Sequence, residues 1–417
     1  MALNKIYLHE SVNFKTLVRI STICVFIFII FIKVFFIVNI VFFIIFIPFN
    51  SIFHVLFINN IYKPPKILCL SMTTQSFKQN LQSENALMDV KGQQDVKFNL
   101  RSALLADRHV LIIGPPGIGK TTLAKSLSEL LDTLELNDCG FHCLPENPIC
   151  PECKRLIAEG TTPKTKKVIG SDRFVRIQGS PDLAAEDLIG DIDPLKALKF
   201  GPLSLEAFTP GKLFRANNGI LFFDELNRCP EKLQNALLQV LQERRSTIGS
   251  YDVDLEANFI FIATMNPEDS STEKLSDVLL DRFDVIYMGY PETLELEEQI
   301  VNQYAKTIVP VPAHYLRLGV SFVRQLRESD KLEKVPSVRA TLGLYERASS
   351  NAFLKNKSQT SWDDFEDAIQ SVIAHRIKLK PSAEYLQSPA QFIKQALKEF
   401  KDNNSENFES AKHGDSP

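Results

Sequence analysis

The residues best placed to do chemistry begin at Gly114. Residues 114–121 read GPPGIGKT, with the spacing Gly-x4-Gly-Lys-Thr. Glycines let a backbone wrap around phosphates and present its N–H groups to them. A following lysine adds a point charge at the β and γ phosphates, and the next hydroxyl offers an oxygen to Mg²⁺. Gly114, Pro115, Pro116, Gly117, Ile118 and Gly119 would form the cradle. Lys120 would supply the charge and Thr121 the Mg²⁺ oxygen, with nucleotide contacts reaching Thr122. Two carboxylates follow at Asp224 and Glu225. The first suits Mg²⁺, directly or through water, and the second suits polarising an attacking water. Asn266 offers an amide that can orient that water against a γ-phosphate. Arg282 could act in trans on the nucleotide of a neighbouring copy, and Arg339 opens a later helix. Either arginine alone would read as a surface ion pair; their positions after the other motifs favour the nucleotide.

These groups work only if particular elements hold them. Residues 109–113, HVLII, are apolar and β-branched, as a buried parallel strand requires, and a helix follows the glycine loop. ILFF at 220–223 delivers Asp224 and Glu225 from a strand end, and NFIFIATMNP delivers Asn266 from another. A further strand is expected at RFVRIQGS, 173–180. Residues 291–400 place apolar and charged positions at helical spacing, as in SWDDFEDAIQSVIAHRI. Residues 401–417 are polar and read as a disordered tail.

A second constellation is CGFHCLPENPICPEC, in which Cys139, Cys143, Cys150 and Cys153 have the spacing Cys-x3-Cys-x6-Cys-x2-Cys. Cys-x2-Cys is a common zinc half-site, and four thiolates suit tetrahedral Zn²⁺. Pro145, Asn147 and Pro148 favour a tight turn that would bring the two pairs together. His142 could replace one cysteine. The competing reading is a cysteine-rich loop without metal, or redox-labile pairs. A metal here would staple a surface insertion between the phosphate-loop helix and the next core strand, away from the γ-phosphate.

The 417 residues carry a net charge of -3 that is unevenly spread. Residues 1–71 hold six Lys/Arg and one acidic residue, about +5; the rest holds 41 basic and 49 acidic residues, or -8. An acidic body of this kind lacks the electrostatic footprint of a nucleic-acid binder. Clustered rather than dispersed cysteines suit a reducing compartment and a cytoplasmic protein. Residues 20–58 are almost wholly apolar, long enough for a membrane span, and poor as a removed signal peptide. Two readings stand for residues 1–71. They are a membrane anchor with the rest of the chain facing the cytosol, or upstream sequence preceding a true start at Met72.

Together the motifs resemble the AAA+ ATPases. Within them they are similar to the group of the magnesium-chelatase ATPase subunit and the MoxR proteins. The resemblance spans about residues 87–381 and is carried by GPPGIGKT, LFFDELNR (221–228), ATMNPE (263–268) and LLDRFD (279–284). VKGQQDVK (90–97) resembles the family's segment near the adenine. Two further stretches resemble the chelatase-type helix-2 insert and the hairpin before sensor 1. The resemblance implies an αβα nucleotide-binding core with a parallel sheet over 72–290, carrying the Cys-rich insertion 139–153, and a helical lid over 291–400. It implies ATP and Mg²⁺ as ligands, Walker B roles for Asp224 and Glu225, sensor 1 at Asn266, an arginine finger at Arg282 and sensor 2 at Arg339. It also implies a homo-oligomeric ring, usually a hexamer, with ATP between subunits.

Three motor functions share that site. One is a chelatase motor that drives a partner complex to insert Mg²⁺ or Co²⁺ into a tetrapyrrole. Another is a MoxR-type chaperone acting on a partner with a von Willebrand A domain. The third is a DNA-translocating motor, which the acidic hairpin tip near Asp252 disfavours, because it would repel phosphates. A catalytically dead scaffold is disfavoured by intact Lys120, Glu225 and Asn266.

Overall fold

The computed structural model describes residues 74–83, 86–202, 204–247, 254–267, 275–406 and 408. The apolar run at 20–58 and the last nine residues lie outside them. Among the described residues, no helix is long and apolar enough to cross a membrane.

Five parallel strands form the centre: β1 (His109–Ile113), β2 (Phe174–Gln178), β3 (Ile220–Asp224), β4 (Ile260–Met265) and β5 (Phe283–Tyr287), in the order β5-β1-β4-β3-β2. Leu111 pairs with Ala263 on one side and Val285 on the other; Phe222 pairs with Ile262 and Arg176. Because both faces of a parallel sheet are covered, its strands are apolar on both sides. Val110, Ile112, Ile220, Phe222 and Ile262 share one face. That face packs with residues of α1 (Gln94–Leu105) and α2 (Lys120–Glu129). Leu111, Leu221, Phe223 and Phe261 share the other face, with α3 (Glu231–Glu243). The alternation is the two-residue period of a strand. Each fully buried phenylalanine contributes about 1.5–3 kcal/mol.

The common strand direction has a functional result. Gly114, Gly179, Glu225 and Asn266 each follow the C-terminal end of a strand, so all four lie at one edge of the sheet. All four strands expected from the sequence are present, and β5 adds a fifth. Between β2 and β3, strands Gly190–Ile192 and Phe208–Pro210 pair antiparallel around a helix at Pro194–Phe200. A second hairpin pairs Arg245–Thr247 with Asp254–Glu256, and its tip lies outside the described residues. Its base arginines are engaged: Arg244 with Asp107 and Asn258, Arg245 with Glu256.

Helices α4 (Leu294–Tyr304), α5 (Ala313–Arg327), α6 (Val338–Leu354), α7 (Trp362–Ile373) and α8 (Pro389–Asn403) enclose a separate apolar cluster around Phe322, Leu344, Phe365 and Phe392. The buried Glu297 carboxylate anchors this unit. It accepts from Arg327 twice, at 2.6 and 2.7 Å, and from Thr341 at 2.6 Å. The polar composition after 401 points to disorder, yet α8 runs to Asn403 and Phe408 packs across Trp362 at 5.0 Å between ring centroids. A single aromatic residue with an aromatic surface to cover extends the order to that point.

Candidate functional site

The glycine loop adopts backbone that its sequence permits. Gly117 has φ +77° and Gly119 φ +103°, both in the left-handed region that glycine enters without steric cost. A Cβ at Gly114 would lie 2.1 Å from the Met288 carbonyl oxygen, so only glycine fits there. Lys120 is buried at the start of α2. Its ammonium donates to the Gly114 carbonyl and, at 3.0 Å, to that of Pro115. The loop carbonyls thus hold the charge.

A cavity of about 300 Å³ opens on this loop. The residues from Pro116 to Thr122 line it, as do Asp224, Glu225, Asn266 and Arg339. Val90, Lys91 and Gln93, from the segment expected near the adenine, line it too. Gly114 and Pro115 do not line it; their carbonyls hold Lys120. Arg339 reaches the loop from α6: a Cβ on Gly117 would meet its Cγ at 3.0 Å and Ser337 Oγ at 2.9 Å. The lid therefore rests directly on the phosphate loop.

Arg282 is the sequence-derived site residue that stays away. It precedes β5 at the opposite edge of the sheet, roughly 15 Å from the cavity by the strand rise. It donates to the Val278 carbonyl and to Gln242 at 2.9 Å.

The two acidic residues sit in different surroundings. Asp224 accepts from Thr264 Oγ1 at 2.6 Å on one oxygen and from Arg176 at 2.6 Å on the other. Glu225 stands in the left-handed region at φ 56°, uncommon for a residue with a side chain. Its backbone N–H donates to Thr264 Oγ1 at 2.9 Å. Its carboxylate accepts from Gln178 at 2.8 Å and pairs with Arg228 at 3.1 Å. Gly179 allows this close approach, since a Cβ there would lie 2.0 Å from the Glu225 carbonyl oxygen. Arg176 and Gln178 belong to no sequence motif, and Thr264 lies inside ATMNPE without a role assigned from the sequence. Their signal is positional: each is a polar residue near the C-terminal end of a strand beside β3.

The oxygens of Thr121 and Asp224 on one cavity form a hard-donor set suited to Mg²⁺. Lys120, the loop N–H groups and Arg339 suit the phosphates of a nucleotide.

The four cysteines gather elsewhere. Cys143, Cys150 and Cys153 are buried and Cys139 is half-buried, within the apolar cluster of the sheet face that includes Phe208 and Phe214. The insertion expected at the surface is thus part of the core, because its aromatic and cysteine side chains pack against Phe208 and Phe214. All four sulfurs lie within 4.8 Å of one another, without His142. Hydrogen bonds from Cys143 and Cys150 hold the Cys139 thiol well below its usual range, and the same contact with Cys139 pushes Cys143 up to about 12.

Three family models match this chain. One described as the ATPase family associated with various cellular activities (AAA) covers residues 158–285. One described as magnesium chelatase, subunit ChlI covers 86–139, and one for the AAA lid domain covers 327–396. With the parallel sheet, phosphate loop and lid, they define an AAA+ ATPase. Among curated relatives, the magnesium-chelatase subunit ChlI homolog of Methanocaldococcus jannaschii is 28% identical over 329 residues, spanning 71% of this chain and 85% of its own. The chloroplastic magnesium-chelatase subunit ChlI of Oryza sativa subsp. indica is 28% identical over 344 residues, spanning 73% and 78%. A solved structure of the magnesium chelatase BchI–BchD complex aligns at 21% identity and a TM-score of 0.40, covering 72% of this chain and 98% of that one. The chain is an AAA+ ATPase similar to the magnesium-chelatase type.

Proposed function

We propose that this ATPase is the motor subunit of a chelatase-type machine, turning ATP hydrolysis into work on a partner complex that inserts Mg²⁺ or Co²⁺ into a tetrapyrrole. The supporting observation is the division of the site. Lys120, Asp224, Glu225, Asn266 and Arg339 share one cavity, whereas Arg282 lies at the far edge of the sheet. A chain with every part but one, and that part on another face, suits head-to-tail assembly into a ring, as a hexamer.

In this reading the loop N–H groups and Lys120 bind the β and γ phosphates. Lys120 leaves the Gly114 and Pro115 carbonyls to do so. Thr121 and Asp224 would hold Mg²⁺, which would supply charge neutralisation at the phosphates. Glu225 accepts a proton from the attacking water and Asn266 orients that water. Arg339 brings the lid onto the phosphates, and Arg282 of a neighbouring copy meets the γ-phosphate.

Mixing two inactive variants tests this. Arg282→Ala keeps its own cavity but donates no arginine; Lys120→Ala loses its cavity but still donates. Each alone should hydrolyse ATP at least about 100-fold more slowly than wild type. An equimolar mixture should recover about a quarter of wild-type activity, the fraction of randomly formed interfaces with both parts. A mixture as inactive as its components refutes the shared site. Addition of a chelatase partner complex with tetrapyrrole and Mg²⁺ should give ATP-dependent insertion. Stimulation instead by a von Willebrand A protein would move the chain to the MoxR reading.

A further inference from the structure

We infer that Cys139, Cys143, Cys150 and Cys153 form a closed four-thiolate site for a structural Zn²⁺ ion, separate from the nucleotide cavity.

The geometry is close to what the ion requires. Tetrahedral zinc with Zn–S bonds of about 2.3 Å places its sulfurs about 3.8 Å apart. The four sulfurs here already lie within 4.8 Å of one another, so small side-chain adjustments complete the tetrahedron. No pair is joined as a disulfide. The chain segments also fit. The Leu144–Asn147 bridge closes the turn between the two pairs and returns the chain to the first pair. Cys150 caps the helix Pro151–Ala158, and Cys153 sits in its first turn, where the helix N-terminus favours thiolate charge.

The shell around the sulfurs is built for negative charge. The N–H groups of Ile149 and Cys150 donate to Cys143 Sγ, each at 3.4 Å. The Cys153 N–H donates to Cys150 Sγ at 3.3 Å, and the Asn137 amide to Cys153 Sγ at 3.5 Å. Such donors orient ligands and offset the charge a tetrathiolate retains around a divalent ion. No carboxylate belongs to the cluster, which disfavours Mg²⁺ and Ca²⁺ and leaves a soft or borderline cation, zinc foremost. Four protein ligands leave no open position, so the ion has no place for water or substrate. Binding releases the thiol protons, so occupancy rises with pH.

The site's role is to fix the start of β3. Asn217 donates to the Phe141 carbonyl at 3.1 Å and Asn218 to that of His142 at 2.9 Å. These two asparagines lead directly into Ile220, and the same strand ends at Asp224. Cys139, the least buried ligand, faces a cavity of about 660 Å³, which gives metal and chelators a way in.

The test uses the full chain purified under reducing conditions without chelator. Elemental analysis should find about one zinc per chain. Replacement by Co²⁺ should give the intense thiolate-to-metal absorption and tetrahedral visible bands of a Co(Cys)₄ centre. Cys150→Ser/Cys153→Ser should lose the metal, whereas Cys229→Ser, at a buried cysteine outside the cluster, should keep it. A strong chelator should lower the melting temperature of wild type, and zinc should restore it. Wild-type protein from zinc-supplemented culture that carries no zinc and gives no cobalt bands overturns the inference. So does full zinc retention in the double variant, or mass spectrometry showing disulfides among the four. If the double variant fails to fold, the wild-type zinc content and cobalt spectrum decide.

Discussion

Replacing Thr264 with valine perturbs both acidic residues of the cavity, Asp224 and Glu225, at once. The Thr264 hydroxyl is buried, donates to Asp224 Oδ1 at 2.6 Å and accepts the Glu225 N–H at 2.9 Å. Valine keeps nearly the same shape, so the packing around residue 264 should survive while both bonds are lost. The Glu225 N–H is left without its acceptor, which costs about 1–3 kcal/mol when water cannot replace it. The Asp224 side chain retains 13% exposure and its Arg176 pair, so its loss is smaller, about 1 kcal/mol. Together these give about 2–4 kcal/mol of destabilisation, or a fall of roughly 4–16 °C in melting temperature for a core of this size. Glu225 also loses a bond that supports its left-handed backbone. Misdirected supporting groups typically reduce activity about 10–100-fold. Thermal melting and steady-state ATPase assays over a Mg²⁺ titration read both effects. Thr264→Ser keeps the hydroxyl and should stay within about threefold of wild type in turnover. A Thr264→Val protein with unchanged melting and unchanged turnover would refute the assignment of Thr264 as the link between the two carboxylates.

Three other outcomes are expected. Gly117→Ala forces a side chain into φ +77°, at about 1–2 kcal/mol, and pushes Arg339 and Ser337 off the loop, so ATP affinity measured by calorimetry should fall about tenfold or more. Arg176→Ala frees an Asp224 oxygen from a half-exposed ion pair, so the Mg²⁺ concentration giving half-maximal ATPase should fall about two- to fivefold. Burial alone would raise the Asp364 carboxyl, but Lys355, Lys357 and Ser361 hold it well below the usual carboxylate range. A group depressed on folding contributes stability that is present above its unfolded value, about 3.9, and lost as pH falls through the folded one. Asp364→Asn should therefore lower the melting temperature at pH 7, and the gap to wild type should narrow as pH drops below about 4.

Legibility differed between parts of the molecule for physical reasons. Phosphate binding needs glycines, a lysine and a hydroxyl at fixed spacing, so residues 114–121 announce themselves in one dimension. β1, β3 and β4 are nearly as plain, since a strand buried on both faces must be apolar throughout. β2 was also legible, although Arg176 and Gln178 interrupt its pattern. Those two polar residues reach the acidic pair only because β2 lies beside β3 in space, although the contacts span 48 and 47 residues of sequence. Arg282 shows the converse. It stands in a recognisable motif, yet a single chain gives it no phosphate to meet. The cysteine loop was legible as chemistry but not as position: its spacing pointed to a metal, while its burial among Phe141, Phe208 and Phe214 depends on chain folded from elsewhere.

The resting site is satisfied from within. The Lys120 ammonium rests on two loop carbonyls, Asp224 on Arg176 and Thr264, and Glu225 on Gln178 and Arg228. Half-buried charges without partners would each cost several kcal/mol, so these pairings allow the cavity to exist before nucleotide arrives. They also set a condition on binding. In the proposed mechanism phosphates and Mg²⁺ would replace the resting partners of Lys120 and Asp224, and only the excess over those contacts would appear as affinity. Two of the displaced or neighbouring groups, Arg176 and Gln178, end β2, and Gly179 directly after them packs against the Glu225 carbonyl. The polar contacts of the two carboxylates with β2 therefore cluster where β2 leaves the sheet and the chain enters the paired strands Gly190–Ile192 and Phe208–Pro210.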